Sequence, residues 1–276
     1  MALLELLGEY PYTTKYTKVR FAFNVISALT LVIFPVFHLI KMDFANGNYY
    51  LWGHYTTNWT KPAIWAFSLW IALYTVTFVI NYFYGRFFCS FICTEGWLIR
   101  GVKVLYDRLY RHGKKLQFNI IVFVLNAILT LILLNWIVDL SVLFKPYHPA
   151  FWWVSLLTYG LIALNYLAIG WLRQKWCRYF CPIGLYLEVF NQKMRWRITY
   201  DKNTCTECLE CVRACPIALD PRKLKDELDT TSGLKACYMC GKCVDACITD
   251  FRNHGEEKQA LHISKVDDEG NVENLF

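Results

Sequence analysis

Twelve of the 276 residues are cysteines, and their spacing carries the chemistry of the chain. Cys205-x2-Cys208-x2-Cys211-x3-Cys215-Pro216 is followed by Cys237-x2-Cys240-x2-Cys243-x3-Cys247. In such runs three thiolates at two-residue gaps wrap a tight turn around an iron–sulfur cube. The fourth, three residues on, starts a helix and reaches the neighbouring cube. The pattern assigns Cys205, Cys208, Cys211 and Cys247 to one [4Fe-4S] cluster, and Cys237, Cys240, Cys243 and Cys215 to a second. A zinc ribbon or unligated thiols are the competing readings, and two complete copies of the run argue against both. Ile248 stands where a second proline would turn the chain away from the cluster, but proline is not a ligand and the ligand sets are unaffected.

The remaining four cysteines lie in an internal repeat. Arg86-Phe87-Phe88-Cys89-Ser90-Phe91-Ile92-Cys93-Thr94-Glu95-Gly96 reappears as Gln174-Lys175-Trp176-Cys177-Arg178-Tyr179-Phe180-Cys181-Pro182-Ile183-Gly184. On a helical segment, thiols at i and i+4 project from one face. If the copies face each other, Cys89, Cys93, Cys177 and Cys181 converge, enough for a third iron–sulfur cluster or another soft-metal site. Packing as small apolar side chains and a reactive dithiol are the alternatives. Gly96 and Gly184 occupy the place of the third cysteine of the radical-SAM motif, which excludes that class.

The elements that position these segments are hydrophobic. The chain is 56% hydrophobic and only 18% charged, where a soluble domain carries about a quarter. Uncharged apolar runs occupy Phe21–Ile40, Pro62–Tyr84, Phe118–Val138 and Ala150–Leu172, each long enough to cross a bilayer. The first is too long for a signal-peptide core and is read as retained. The fold expected is a membrane all-α region of four transmembrane helices, arranged as two repeated hairpins (residues 1–198). A C-terminal α+β domain like a two-[4Fe-4S] bacterial ferredoxin follows (residues 199–276). Interfacial amphipathic helices are expected along Leu98–Leu109 and Leu185–Ile198.

The 29 Lys and Arg are asymmetric. Only Lys41, Lys61 and Lys145 fall in the loops after the first and third spans. By the positive-inside rule both termini are cytoplasmic, so all twelve cysteines face a reducing compartment. The basic residues thus set topology, and a nucleic-acid partner is disfavoured. Aromatic-rich loops at 41–61 and 147–153 read as interfacial anchors.

Four spans, two Cys-x3-Cys-x2-Gly segments on the inner side and a two-cluster ferredoxin module together resemble the NapH-type family. Its members are membrane subunits of quinol dehydrogenases serving periplasmic nitrate reductase. The wider group includes NosR-type electron donors and the polyferredoxins of cytochrome oxidase assembly. The family's Cys-x3-Cys-Pro is matched in full by Cys177, Cys181 and Pro182, whereas Thr94 follows Cys93 in the first copy. The resemblance implies a bacterial cytoplasmic (inner) membrane location, redox partner subunits, and electron transfer between the quinone pool and those partners. The chain has no nicotinamide fingerprint, flavin motif or catalytic triad, so partners would supply the second half-reaction. A metal-reducing assembly factor and a membrane anchor that relays electrons without touching quinone are the alternatives.

A quinone slot needs a proton acceptor and hydrogen-bond partners near the bilayer. Asn24, His38, Asn126, Asn135, Asp139 and Asn165 lie within or at the rims of the runs. Asn24, Asn126 and Asn165 are expected to be inter-helix hydrogen-bond partners. His38, Asp139 and His148 form a weaker outer-side quinone candidate, with capping as the competing role. Only His38 falls within a run, so a bis-histidine haem is not expected. Glu95 and Glu188 flank the Cys-x3-Cys segments, as cluster-tuning groups or as solvated carboxylates.

Overall fold

The computed structural model describes residues 12–56, 60–173, 175–190, 195–224, 236–267 and 271–275. Contacts divide the chain into two units that do not follow chain order. One gathers the residues up to Asn24, Thr75–Asp107 and Arg173–Phe276, and the other Val25–Tyr74 and Arg108–Leu172. Every cysteine belongs to the first. A division at 198/199 instead falls inside a strand.

Among the described residues three helices are long and apolar enough to cross a membrane: α1 (Lys15–Val36), α5 (Lys115–Leu134) and α6 (Phe151–Tyr166), which continues as a π-helical stretch to Leu172. A fourth long helix, α2 (Thr60–Tyr84), covers the second apolar run. α1 ends earlier than its run because of Pro35, which removes a backbone donor and crowds the carbonyl four residues back. That carbonyl, on Leu31, accepts the Trp136 indole N–H at 2.9 Å. His38 is therefore outside the helix, in a turn at φ 53, stacked on Tyr50 with ring centroids 4.7 Å apart.

The loop expected to be a simple aromatic anchor is a three-stranded antiparallel sheet, so the membrane region is not all-α. β1 (Ile40–Asp43), β2 (Asn48–Leu51) and β3 (His54–Thr56) pair in that order, Leu51 opposite His54. The two-residue turn is Trp52-Gly53, both at positive φ (52° and 78°), the geometry that matches strand twist. The anchor residue Trp59 lies outside the described residues. α5 and α6 are tied by the asparagines as expected: Asn126 donates to the Ile162 carbonyl at 3.0 Å and Asn165 to the Thr130 hydroxyl at 3.1 Å.

In the cysteine-bearing unit, short α3 (Phe87–Phe91) leads to α4 (Thr94–Leu105). A π-turn at Trp176–Phe180 leads to α7 (Pro182–Phe190), shorter than the helix expected over 185–198. The chain is extended again by β4 (Trp196–Tyr200), then α8 (Glu210–Ala214), α9 (Lys242–Asn253), β5 (Leu261–Val266) and β6 (Val272–Asn274). β4, β5 and β6 form an antiparallel sheet, Ile198 opposite Ile263. α9 buries Cys243, Val244, Cys247 and Phe251, one helical stripe, against Ile198, Leu261 and Ile263. The N-terminus of α1 is fastened to this core. The Asp245 carboxylate accepts from the Thr14 amide at 2.7 Å and the Thr17 hydroxyl at 2.6 Å, and the Tyr16 hydroxyl donates to the Met239 carbonyl.

Candidate functional site

The two ferredoxin-type runs adopt the same loop. Glu207 and Leu209 in the first, and Met239 and Gly241 in the second, have positive φ (58°, 65°, 54° and 74°) at matching places after the first cysteine. Left-handed residues are costly for side chains with a Cβ, so their recurrence marks a functional loop that turns amides inward. The amides of Glu207 and Met239 donate to Cys205 Sγ and Cys237 Sγ, at 3.3 and 3.4 Å. Gly241 is required on a second ground, because a Cβ there would stand 3.1 Å from Thr17 Oγ1 and from the Tyr16 ring. In both runs the helix begins at or before the third cysteine rather than at the fourth, and Cys215 lies just past the end of α8.

The eight thiols sort into two cavities. Cys205, Cys208, Cys211 and Cys247 line one with Tyr200, Arg222 and Phe251. Cys215, Cys237, Cys240 and Cys243 line the other with Pro216, Ile217 and Tyr238. Each cavity takes three cysteines from one run and the fourth from the other, the crossed pairing read from the sequence. The amides of Leu219 and Ala260 donate to Cys215 Sγ and Cys247 Sγ, each at 3.3 Å. Burial pushes the Cys237 thiol up to about 12 and Cys211 to about 11, so these groups are poor nucleophiles until a metal displaces their protons.

The two Cys-x3-Cys segments match each other in backbone despite Thr94 replacing proline. Cys93 has φ −68°, ψ 111° and Cys181 φ −65°, ψ 115°, each extended and directly before a helix. The paired cysteines thus flank a break rather than sharing one helix face. The helix that follows returns onto the first cysteine, which is why the third place is glycine. A Cβ on Gly96 would lie 2.6 Å from the Cys89 carbonyl oxygen, and one on Gly184 3.0 Å from that of Cys177. The Gly96 amide donates to Cys93 Sγ at 3.4 Å, so the N-terminus of α4 faces that sulfur.

The segments are brought together. Cys177 and Cys181 lie close enough to Cys89 for their charges to oppose its ionisation, and Cys89 does the same to Cys93. Burial pushes Cys89 up to about 12 and Cys177 to about 11, and raises Cys93 further. Cys89 and Cys177 pack against Ile217, Tyr238 and Cys240, beside Cys215 and Cys237, so the four-thiol site adjoins the second ferredoxin cavity.

Sequence reasoning missed the side chains around this site. Arg86, counted only as a topology charge, is fully buried. Its Nε donates to the Gly184 carbonyl at 3.1 Å and its Nη1 to the Ala236 carbonyl at 3.3 Å, joining both repeats to the ferredoxin segment. Arg100, expected on the polar face of an interfacial helix, is buried as well and donates to the Ser90 carbonyl at 3.1 Å. Both guanidiniums favour thiolate at Cys89. Lys103 donates to the Arg213 and Cys215 carbonyls at the end of α8. Only the position of Arg86 inside the repeat, against a span end, hinted at such a role. Burial raises the Glu95 carboxyl, and the Glu188 side chain lies outside the described residues.

In the other unit, Asp139 and His148 of the weaker quinone candidate make local contacts. Asp139 caps the turn at Leu140–Phe144, accepting from the Ser141 amide at 3.1 Å, and pairs with Lys41 at 3.8 Å. Burial alone would raise its carboxyl, but the Ser141 hydrogen bonds and Lys41 hold it below the usual range. His148 contacts Asn46 at 3.2 Å and accepts from the Ala150 amide at 3.1 Å. An open groove between α5 and α6 is lined by Asn119, Ile120, Phe123, Ala163, Tyr166 and Leu167.

Residues 197–248 match the 4Fe-4S dicluster domain family. Over 62% of the chain and 65% of its relative, the sequence is 27% identical to an uncharacterized protein of Methanocaldococcus jannaschii. It is 25% identical to the ferredoxin-type protein NapH of Escherichia coli, over 60% of this chain and 60% of that protein. A shorter match, 33% identical over 24% of the chain and 36% of its relative, is to subunit I of the NAD(P)H-quinone oxidoreductase of Gloeobacter violaceus. The chain thus spans less than two thirds of the length of each of these relatives. No solved structure matches it.

Proposed function

We propose that this chain, which belongs to the NapH-type family of membrane ferredoxins, relays electrons between the quinone pool and partner redox subunits of an oxidoreductase complex. That it is an iron–sulfur electron-transfer membrane protein follows from the dicluster domain and the apolar helices. In the proposed arrangement four helices span the bacterial inner membrane with both termini cytoplasmic. The 25-residue length of α2 supports the fourth span.

A [4Fe-4S] cluster supplies one-electron redox chemistry, with a potential set by hydrogen bonds to sulfur, net charge and solvent exposure. Cys205, Cys208, Cys211 and Cys247 would hold one and Cys215, Cys237, Cys240 and Cys243 the other. The crossed sorting of the two runs into two cavities is the observation that carries this reading. Cys89, Cys93, Cys177 and Cys181 would hold a third cluster, supported by their burial and proximity and by the buried Arg86 and Arg100 beside Cys89, which offset negative charge. The Gly96, Leu219 and Ala260 amides hold their sulfurs in place, and the packed cores of α9, β4 and β5 exclude water from Cys243 and Cys247. For quinone, the groove by Asn119 and Tyr166 is a better slot than His38, Asp139 and His148: Asp139 and His148 are engaged in capping and pairing, and His38 is stacked on Tyr50.

The test is iron analysis and electron paramagnetic resonance on anaerobically purified chain. Cys89→Ser and Cys177→Ser should each lose about a third of the iron and one signal, with the ferredoxin signals intact. Unchanged iron in both would reduce these cysteines to packing. Cluster reduction by a quinol is expected; clusters inert to quinol but reducing added copper would favour the assembly-factor reading instead.

A further inference from the structure

Arg86 opens the first Cys-x3-Cys segment, and its backbone carbonyl accepts the Cys89 amide at 3.1 Å. Its guanidinium is fully buried and reaches two other parts of the chain. Nε donates to the Gly184 carbonyl at 3.1 Å, and Nη2 donates to the same oxygen. Gly184 is where the second Cys-x3-Cys segment closes. A Cβ there would meet the Cys177 carbonyl oxygen at 3.0 Å, Arg86 Nη2 at 3.2 Å and Cys181 Cβ at 3.6 Å. On the other side, Nη1 donates at 3.3 Å to the carbonyl of Ala236, the residue before Cys237. The guanidinium carbon also stands 5.7 Å from the centroid of the Tyr238 ring, which walls the second ferredoxin cavity. One charge is thus held both against the closure of the four-thiol site and against the segment that carries Cys237. The lining of the first ferredoxin cavity includes none of Arg86, Gly184, Ala236 and Tyr238; its guanidinium is that of Arg222, paired with Asp220 at 2.9 Å.

A guanidinium stays protonated, and where water is excluded its field is little screened. Reduction adds one negative charge to an iron–sulfur centre, so a fixed positive charge nearby favours the reduced state and raises the midpoint potential. We infer that Arg86 is a positioning residue shared by two redox centres, tying the Cys-x3-Cys centre to the second ferredoxin centre and raising the midpoint potentials of both. This rests on the reading that Cys89, Cys93, Cys177 and Cys181 hold a cluster. The Gly184 and Ala236 carbonyls keep the charge in one place, so it acts on the two centres together. The step between those two is then little altered, and the step from them to the first ferredoxin centre is the one that Arg86 sets.

The experiment is a potentiometric titration, followed by electron paramagnetic resonance, of the full chain and of Arg86→Gln, Arg86→Met and Arg86→Lys. Cys177→Ser identifies the signal of the Cys-x3-Cys centre and Cys240→Ser that of the second ferredoxin centre. Arg86→Met fills the space with an unbranched apolar chain, a replacement that buried charges commonly tolerate, and keeps the test open if the glutamine variant fails to fold. In a neutral variant that retains its iron, both signals should shift to lower potential while the first ferredoxin signal holds still. Arg86→Lys keeps the charge and should shift both signals less, even though it recovers little stability. A shift in one signal only, in all three or in none overturns the inference, as does an equal shift in Arg86→Lys and the neutral variants. Loss of iron from both neutral variants overturns it too, making the arginine an assembly element. If the unsubstituted chain carries only two clusters and Cys177→Ser removes no signal, the reading beneath it fails instead, an outcome visible before any arginine variant is measured.

Discussion

Replacing Gly96 by alanine tests how closely α4 returns onto the Cys-x3-Cys segment. The added Cβ would lie 2.6 Å from the Cys89 carbonyl oxygen, about 0.8 Å inside the roughly 3.4 Å at which ordinary contact begins. The obstacle is backbone, so no rotamer change relieves it, and either α3 or the first turn of α4 must move. Overpacking of this kind costs roughly 1–3 kcal/mol, and the movement takes the Gly96 amide away from Cys93 Sγ. Gly184→Ala should be milder, since its Cβ would meet the Cys177 carbonyl at 3.0 Å and an Arg86 nitrogen at 3.2 Å. Gly101→Ala, on the same helix as Gly96 with nothing within 4 Å, should stabilise by up to about 1 kcal/mol through helix propensity. Thermal unfolding in detergent, with iron counted on the same samples, should rank them Gly101→Ala above Gly184→Ala above Gly96→Ala. Equal stability and equal iron in Gly96→Ala and Gly101→Ala would refute the close approach.

Arg86→Gln removes the guanidinium that joins the Gly184 and Ala236 carbonyls, and should cost on the order of 3 kcal/mol in thermal or denaturant unfolding. Arg86→Lys should recover little of it, because one ammonium lacks the planar fork that spans two acceptors; full rescue by lysine would argue for charge alone. Asp245→Ala strips the acceptor from the Thr14 amide and Thr17 hydroxyl at the start of α1, and should lower stability by about 2 kcal/mol. An unchanged unfolding midpoint would count against that cap. The Asp139 carboxyl is held below its unfolded value, so its contribution is fully present above about pH 4 and is lost as pH falls through the folded value. The stability gap between the parent chain and Asp139→Asn should therefore close on the acid side, and a gap constant down to pH ~3 would show the pairing to be inert.

The ligand sets and the elements around them were legible to different degrees. The crossed assignment of Cys215 and Cys247 is an expectation of spacing, because a run of four cysteines at these gaps has few ways to surround a cube; in the structure each of these thiols lines the cavity of the other run. The same loop in both runs, with Glu207, Leu209 and Met239 left-handed, was not readable. Three of those four positions carry side chains where glycine would have announced the turn. Arg100 looked like the polar face of an interfacial helix, and the strands at 40–56 looked like an anchoring loop. In both cases a local pattern was overruled by contacts made elsewhere in the chain.

Sequence alone determined that this chain is hydrophobic enough for a membrane and which cysteines could bind iron, because run length and ligand spacing are local properties. Tertiary structure decided that the second Cys-x3-Cys segment meets the first, Arg86 donating to the Gly184 carbonyl, and that Arg86 and Arg100 are buried beside Cys89. Those facts depend on which side chains, more than a hundred residues apart in some cases, share a water-free space, and composition and periodicity carry no record of that proximity.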